Sequence, residues 1–170
     1  ARYWMHTNML LMNGKKMSKS DGNTISPYEL FTGDSIHVTK GYSPMVVRFF
    51  MLQSHYRSTN DLTDEGLQAA EKGFRRIMDA YKTILSLQTD NSEIGPLDLK
   101  VDFIINGIFE DMSDDFNTPK ALAKLYELVT IINSLKDGQI NISEIAIDTV
   151  QKIKTQLKAI IFDIFGLRDE

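Results

Sequence analysis

The chain contains no cysteine, so within these residues neither a disulfide nor a thiolate zinc site can form, and the redox compartment stays undefined. A basic surplus is missing too. With 19 Lys and Arg against 23 Asp and Glu, a formal charge of −4, binding of nucleic acid by bulk electrostatics is excluded, and any such contact must use a local basic face. No window approaches the roughly 18 consecutive apolar residues that cross a bilayer, and the start lacks the basic-then-apolar run of a secretory signal. The expectation is a cytoplasmic protein with no membrane partner. No internal repeat of roughly 20–50 residues is evident, which argues against a solenoid.

What is present is enough to fold. A length of 170 residues with 42% hydrophobic content supports one ordinary domain or two small ones with a buried core. The chain opens inside an apolar, aromatic segment, Tyr3-Trp4-Met5, so we expect an upstream portion against which Tyr3, Trp4 and Met9 to Met12 pack. Trp4 to Met12 is apolar and ends at Asn13-Gly14, the dipeptide favoured in tight hairpins, which predicts one strand or a hairpin. Lys15 to Asn23 is polar and contains a glycine, which predicts a surface loop whose backbone no ladder holds. Strand content is expected only within about the first 25 residues.

Beyond that the pattern is helical. Ser26-Pro27 and Ser43-Pro44 each pair an N-cap serine with a proline suited to the first helical position. Val46, Val47, Phe49, Phe50 and Leu52 then supply an apolar helix surface interrupted by Arg48. Thr63 reads as an N-cap with Asp64 and Glu65 in the first turn, where carboxylates complement the helix dipole. The long helix that follows carries Leu67, Ala70, Phe74, Ile77, Met78, Tyr81, Ile84 and Leu85 at spacings of three and four, with Lys72, Arg75, Arg76 and Lys82 outward. Residues 88–96 are a linker. Three more helices are predicted: about 99–112 with Phe103, Ile104, Ile108 and Phe109 inward; one from Thr118-Pro119 to Asp137-Gly138; and one from near Ser143 or Ile145 to about Gly166, with Ile153, Leu157, Ile160, Ile161 and Ile164 inward. Short loops between them imply an antiparallel bundle.

Chemistry concentrates in one place. Lys15, Lys16 and Lys19 are interleaved with Ser18 and Ser20 and closed by Asp21-Gly22-Asn23. Ammonium groups and hydroxyls on a loop can wrap a polyphosphate, because lysine offers a point charge with three donors and serine a neutral one. A lysine that reaches a departing pyrophosphate only in the transition state lowers the barrier without over-tightening ground-state binding. Composition alone favours a solvated basic loop, which is what most short lysine clusters are.

The order of letters says more. Lys16-Met17-Ser18-Lys19-Ser20 matches the signature loop of class I aminoacyl-tRNA synthetases and follows an apolar segment ending in Asn-Gly, as that loop does. Tyr3-Trp4-Met5-His6, Ser54-His55-Tyr56-Arg57-Ser58 and Asp114-Asp115-Phe116-Asn117-Thr118-Pro119 extend the match, and together these segments resemble the cysteinyl-tRNA synthetase family. The resemblance implies a mainly α fold: residues 1–25 as the strand-and-loop end of a catalytic domain, 26–60 as a connecting helical region beside the acceptor stem, and 61–167 as an antiparallel helix bundle of the DALR type that binds tRNA.

It also implies roles. Lys19 takes the second-lysine position that contacts ATP phosphates and Lys16 the first, both catalytic; Met17, Ser18 and Ser20 complete the ATP-binding loop, Met17 by packing beneath it, while Lys15 lies outside the motif. Arg48, Arg57, Arg75 and Arg76 are candidates for tRNA phosphates, since backbone contacts ask only for local positive charge. The expected substrates and partners are ATP with magnesium, cysteine and a cysteine-specific tRNA, acting on a monomer. Zinc is expected in the whole enzyme, but its ligands and the His-Ile-Gly-His-type motif are not among these residues, so this piece alone is expected to be inactive. No metal ligand is assigned: His6, His37 and His55 are too scattered. Asp114 and Asp115 are expected to serve the following helix rather than a metal. Two other readings share the loop, a ligase joining cysteine to an amino-sugar in mycothiol synthesis and the methionine enzyme. A third is a helical tRNA-docking module without chemistry.

Overall fold

The computed structural model describes residues 1–169. It divides into two compact units, residues 1–74 and residues 75 onward.

The first unit is built on a small sheet. Strand β1 (Leu10–Met12) turns at Asn13-Gly14 into β2 (Lys15–Lys16); the turn residues have φ of 51° and 74°, the positive values that Asn and Gly tolerate best and that match hairpin twist. The pairing is antiparallel, with Leu11 opposite Lys16 and Met12 opposite Lys15. The hairpin prediction holds, but Lys15 and Lys16 are in a ladder, not in the unladdered loop expected for them. A further departure is β3 (Asn60–Leu62), which lies parallel to β1 with Leu10 opposite Asn60 and Met12 opposite Leu62. Its three residues, Asn60-Asp61-Leu62, carry one apolar side chain and no alternation. Strand content was therefore not confined to the first 25 residues: β3 is recruited by β1, whose other edge would otherwise expose unpaired backbone groups.

Helix α1 (Pro27–Thr32) starts as its letters predict. The Ser26 hydroxyl accepts the Glu29 N–H at 3.2 Å, and the Glu29 carboxylate accepts the Ser26 N–H at 2.7 Å, a complete capping box. Ser43 caps α2 (Pro44–Leu52) by accepting the Val46 N–H at 3.2 Å. Val46, Phe49 and Phe50 of α2 are buried with Met12, Leu30, Tyr42, Leu62, Leu67 and Phe74, and the Phe49 and Phe74 rings pack with centroids 6.0 Å apart. Tyr3, Trp4, Met5 and Met9 are exposed while Met12 is buried.

Helix α3 (Asp64–Ser86) contributes residues to both units. Thr63 is its cap, accepting the Gly66 N–H at 3.0 Å. The predicted stripe is buried at Leu67, Ala70, Phe74, Ile77, Met78 and Ile84, but Leu85 is exposed.

The second unit is helical. Residues 88–95 form no regular element, as expected of the linker, and α4 (Pro96–Ser113) begins three residues earlier than predicted. The cause is Asp98: its carboxylate accepts the Gly95 N–H at 2.8 Å and the Ala146 N–H at 2.9 Å, so a side chain inside the first turn replaces a capping residue before it. Phe103 corrects the sequence reading outright. It is 75% exposed, because the buried face of α4 runs through Val101, Ile104, Ile105 and Ile108, and Phe103 falls on the far side of that stripe.

Helix α5 (Thr118–Lys136) is capped by Asn117, whose side chain accepts the Lys120 N–H. Asp114 to Asn117 is a turn so short that α4 and α5 return antiparallel, which lets Lys124 lie over Gly107 and bond the Asp111 carboxylate. Asp114 closes α4 rather than opening α5, and Asp115 and Phe116 both have positive φ, 55° and 53°. The last helix, α6 (Ile147–Lys158), continues through a wider turn at Ala159–Ile164 in which the Phe165 N–H bonds Ile160 at 2.9 Å. Ile153, Leu157, Ile160 and Ile161 are buried, whereas Ile164 is exposed, since the widened turn rotates it off the apolar stripe.

Candidate functional site

The lysine loop is held from beneath. The Gly14 N–H donates to both carboxylate oxygens of Asp61 at 2.9 and 3.0 Å, and the Asn13 N–H reaches the Leu62 carbonyl at 3.2 Å, so β3 fixes the hairpin tip. Beyond β2 the chain closes a second small turn: Ser18 and Asn23 exchange backbone bonds at 3.3 and 3.2 Å, and the Gly22 N–H returns to Lys19 at 3.3 Å. Gly22 has φ of 64°, the left-handed region that glycine enters at least cost. The Asn23 amide points back and bonds the Lys16 carbonyl at 3.3 Å and the Met12 carbonyl at 3.4 Å. The Ser18 and Ser20 hydroxyls are 2.8 Å apart.

Next to this loop lies a cleft of about 370 Å³ lined by Lys15, Lys16, Asp21, Gly22, Asn23, Ile36 and His37. A shallower depression of about 500 Å³ adjoins it, sharing Gly22, Ile36 and His37 and adding Thr24, Glu29, Asp34 and Ser35. With two lysines and a histidine among its lining residues against one aspartate, the first cleft is suited by composition to an anion. In the second, hydrogen bonds from Ser26, helped by the charge of His37, hold the Glu29 carboxyl below its usual value, so it stays an acceptor.

Of the residues singled out in the sequence, Lys16 lines the cleft. Lys19 and Ser20 are exposed at the tip of the second turn, and Met17 and Ser18 are half-buried at its base; none of these four lines the cleft. None of positions 16–20 is helical or fully buried. Arg48 is exposed on α2. The exposed Arg57 donates through Nε to the Tyr56 hydroxyl at 2.9 Å, with its guanidinium 5.4 Å from that ring. In the second unit Arg75 and Arg76 adjoin on α3, and Arg76 donates to the Thr130 hydroxyl at 3.2 Å while lying over the Tyr126 ring at 5.7 Å. Arg48 and Arg57 thus belong to the first unit and Arg75 and Arg76 to the second.

Sequence reasoning missed the contacts of Asp61 and His37 with the loop. Lys15 had been set outside the motif, yet the β2 ladder brings it to the cleft wall. For Asp61 and His37 no local signal exists; both act across more than ten residues of chain. The histidines are engaged within the protein: the His55 Nδ1 accepts the Arg57 N–H at 3.2 Å, and His6 stacks with Trp4 at 6.3 Å. Among the described residues no group of three or more His, Asp or Glu is placed to hold a metal ion, and no helix is long and apolar enough to cross a membrane.

Comparison with known proteins places this geometry in context. Residues 1–72 match the model of the tRNA synthetases class I (C) catalytic domain, and residues 108–168 match the DALR domain. The cysteine–tRNA ligase of Parabacteroides distasonis is 44% identical over 170 residues, covering all of this chain and 33% of that protein. The cysteine–tRNA ligase of Cytophaga hutchinsonii is 42% identical over 173 residues, covering all of this chain and 35% of its own length. The chain spans about a third of the length of the curated relatives it matches. Among solved structures, the LeuRS of Agrobacterium radiobacter K84, in a ternary complex with tRNA and LeuAMS, aligns with a TM-score of 0.51 at 19% identity, covering 95% of this chain and 22% of that one. That likeness is one of fold.

Proposed function

This chain belongs to the cysteine–tRNA ligase family of class I synthetases, and on that premise we propose that it supplies the ATP-phosphate loop and the tRNA-facing helices of an enzyme that activates cysteine and transfers it to tRNA. Residues 1–74, the unit with the sheet and the lysine loop, supply the end of the catalytic domain and the connecting region, and the helical unit from residue 75 onward supplies the tRNA-binding bundle. The observation that carries the reading is the cleft that Lys15 and Lys16 both line, with Lys19 and Ser20 exposed on the turn beside it.

In this reading Lys16 holds the ATP phosphates from the β2 ladder, a fixed position, and Lys19 closes on them from the turn. As the cysteine carboxylate attacks the α-phosphorus and pyrophosphate departs, negative charge accumulates on the leaving oxygens, and the two ammonium groups neutralise it. Magnesium would accompany the nucleotide and offset part of its phosphate charge; among the described residues no group of three or more His, Asp or Glu is placed to hold it. Zinc binding and cysteine selection belong to residues outside this chain. Arg48, Arg57, Arg75 and Arg76 contact tRNA phosphates, and the enzyme works as a cytoplasmic monomer.

The test is pyrophosphate exchange by the full-length protein. Lys19→Ala and Lys16→Ala should each lower kcat by about 10²–10³, with a smaller change in KM for ATP, because the contact strengthens in the transition state. Exchange at the unchanged rate in both variants would overturn the catalytic role and leave a docking module.

A further inference from the structure

Residues 33–41 form a loop pinched shut at its base. A Cβ on Gly33 would lie 2.3 Å from the Gly41 nitrogen, and one on Gly41 would lie 2.4 Å from the Phe31 carbonyl oxygen. The two strands of chain touch backbone to backbone there, and the Tyr42 N–H bonds the Leu30 carbonyl at 3.0 Å. One side of the loop is anchored to the start of α3: the Thr39 N–H and hydroxyl donate to Asp64 at 3.1 and 2.8 Å, and the Tyr42 hydroxyl donates to the same carboxylate at 2.7 Å. Lys40 pairs with Glu71. The other side reaches outward, with Ile36 94% exposed.

From this anchored loop His37 extends to the lysine turn, its Nε2 3.3 Å from the Gly22 carbonyl oxygen. A carbonyl only accepts, so the bond requires the proton on Nε2. Gly22 is the left-handed hinge of the turn carrying Lys19 and Ser20, and His37 also lines the cleft beside Lys16.

We infer that His37 is a positioning residue, a latch on a braced arm that holds the 18–23 turn through Gly22 and thereby sets where Lys19 stands. The inference rests on the proposed nucleotide role for its consequence in catalysis, but the latch itself is a structural claim and is testable without nucleotide. The bond is single, exposed and 3.3 Å long, strong enough to bias the turn and weak enough to release it. The energy to hold the arm comes from the Asp64 cluster and the glycine pinch, not from the latch.

The experiment is limited trypsin digestion of the full-length protein without nucleotide, with cleavage sites read by mass spectrometry. His37→Ala should speed cleavage after Lys16 and Lys19 several-fold while leaving other sites and the melting temperature unchanged. His37→Gln, which keeps a donor, should restore the slower rate. Equal rates at Lys16 and Lys19 in all three proteins overturn the latch. Nitrogen-15 spectra of the unmodified protein give a second reading that needs no variant: a proton on Nε2 of His37 supports it, and a proton on Nδ1 alone overturns it. A second digestion with ATP added separates the two claims: protection of neither site overturns the nucleotide reading and leaves the latch standing.

Discussion

Both carboxylate oxygens of Asp61 accept the N–H of Gly14, at 2.9 and 3.0 Å, across 47 positions of chain. That contact ties the tip of the lysine hairpin to a strand laid down after two intervening helices, so the basic wall of the cleft depends on residues far from it in sequence.

Asp61→Ala should therefore loosen the hairpin more than the fold. Asp61 is exposed, so solvent competes for the bond, and a cost of about 1 kcal/mol is expected. Amide hydrogen exchange checks it: Gly14 should lose protection several-fold while Phe49 in α2 keeps its own. Equal protection of Gly14 in both proteins would remove Asp61 from this role.

Gly33→Ala and Gly22→Ala separate backbone conformation from close approach. Both glycines have positive φ, 79° and 64°, but only Gly33 faces backbone atoms within 3 Å, while Gly22 has nothing within 4 Å. Gly22→Ala should cost about 1 kcal/mol for the left-handed conformation alone. Gly33→Ala should cost more, about 2–4 kcal/mol, because the Gly41 backbone must also move. Urea midpoints that rank the two variants the other way would refute the pinch.

Tyr42 should titrate late. Burial first, then its hydrogen bond to the Asp64 carboxylate, pushes its hydroxyl up to about 12 from an ordinary value of 10. The folded protein holds that proton more tightly than the unfolded chain does, so the stabilisation is complete below pH 10 and disappears as pH rises towards 12. Absorbance of tyrosinate should show one tyrosine lagging the rest, and Asp64→Asn should bring it forward.

Asp98 should govern acid sensitivity of the helical unit. Burial pushes its carboxyl up, but hydrogen bonds from Thr149 and from the N–H groups of Gly95 and Ala146 outweigh that and hold it below the usual carboxylate value. Stability from this group is present above the unfolded carboxylate pKa of about 4 and is lost as pH falls through the lower folded value. Asp98→Ala should cost about 1–3 kcal/mol for each N–H it leaves buried and unbonded, and the acid transition of α4 and α6, followed by circular dichroism, should flatten. A transition of unchanged steepness would move the acid sensitivity elsewhere.

Much of this molecule is written locally. The caps at Ser26, Ser43 and Thr63, the Asn13-Gly14 turn and the stripe on α3 are interactions within a few residues, and short-range chemistry is what a linear reading detects best. The misses share a cause. Phe103 and Leu85 were assigned inward on spacing, but spacing only says that apolar residues recur, and the partner helices decide which side of the recurrence is buried. Strand β3 has almost no strand signal, because its backbone answers an open edge rather than its own side chains.

Sequence alone determined the type and order of the helices and the place of the lysine motif, since propensity, capping and apolar period act within one or two turns of chain. Tertiary structure decided which of those lysines line the cleft, that His37 reaches Gly22, and that Asp61 holds Gly14. The His37 and Asp61 contacts join residues 15 and 47 positions apart, and no local rule carries the information of which distant backbone will come within hydrogen-bonding distance.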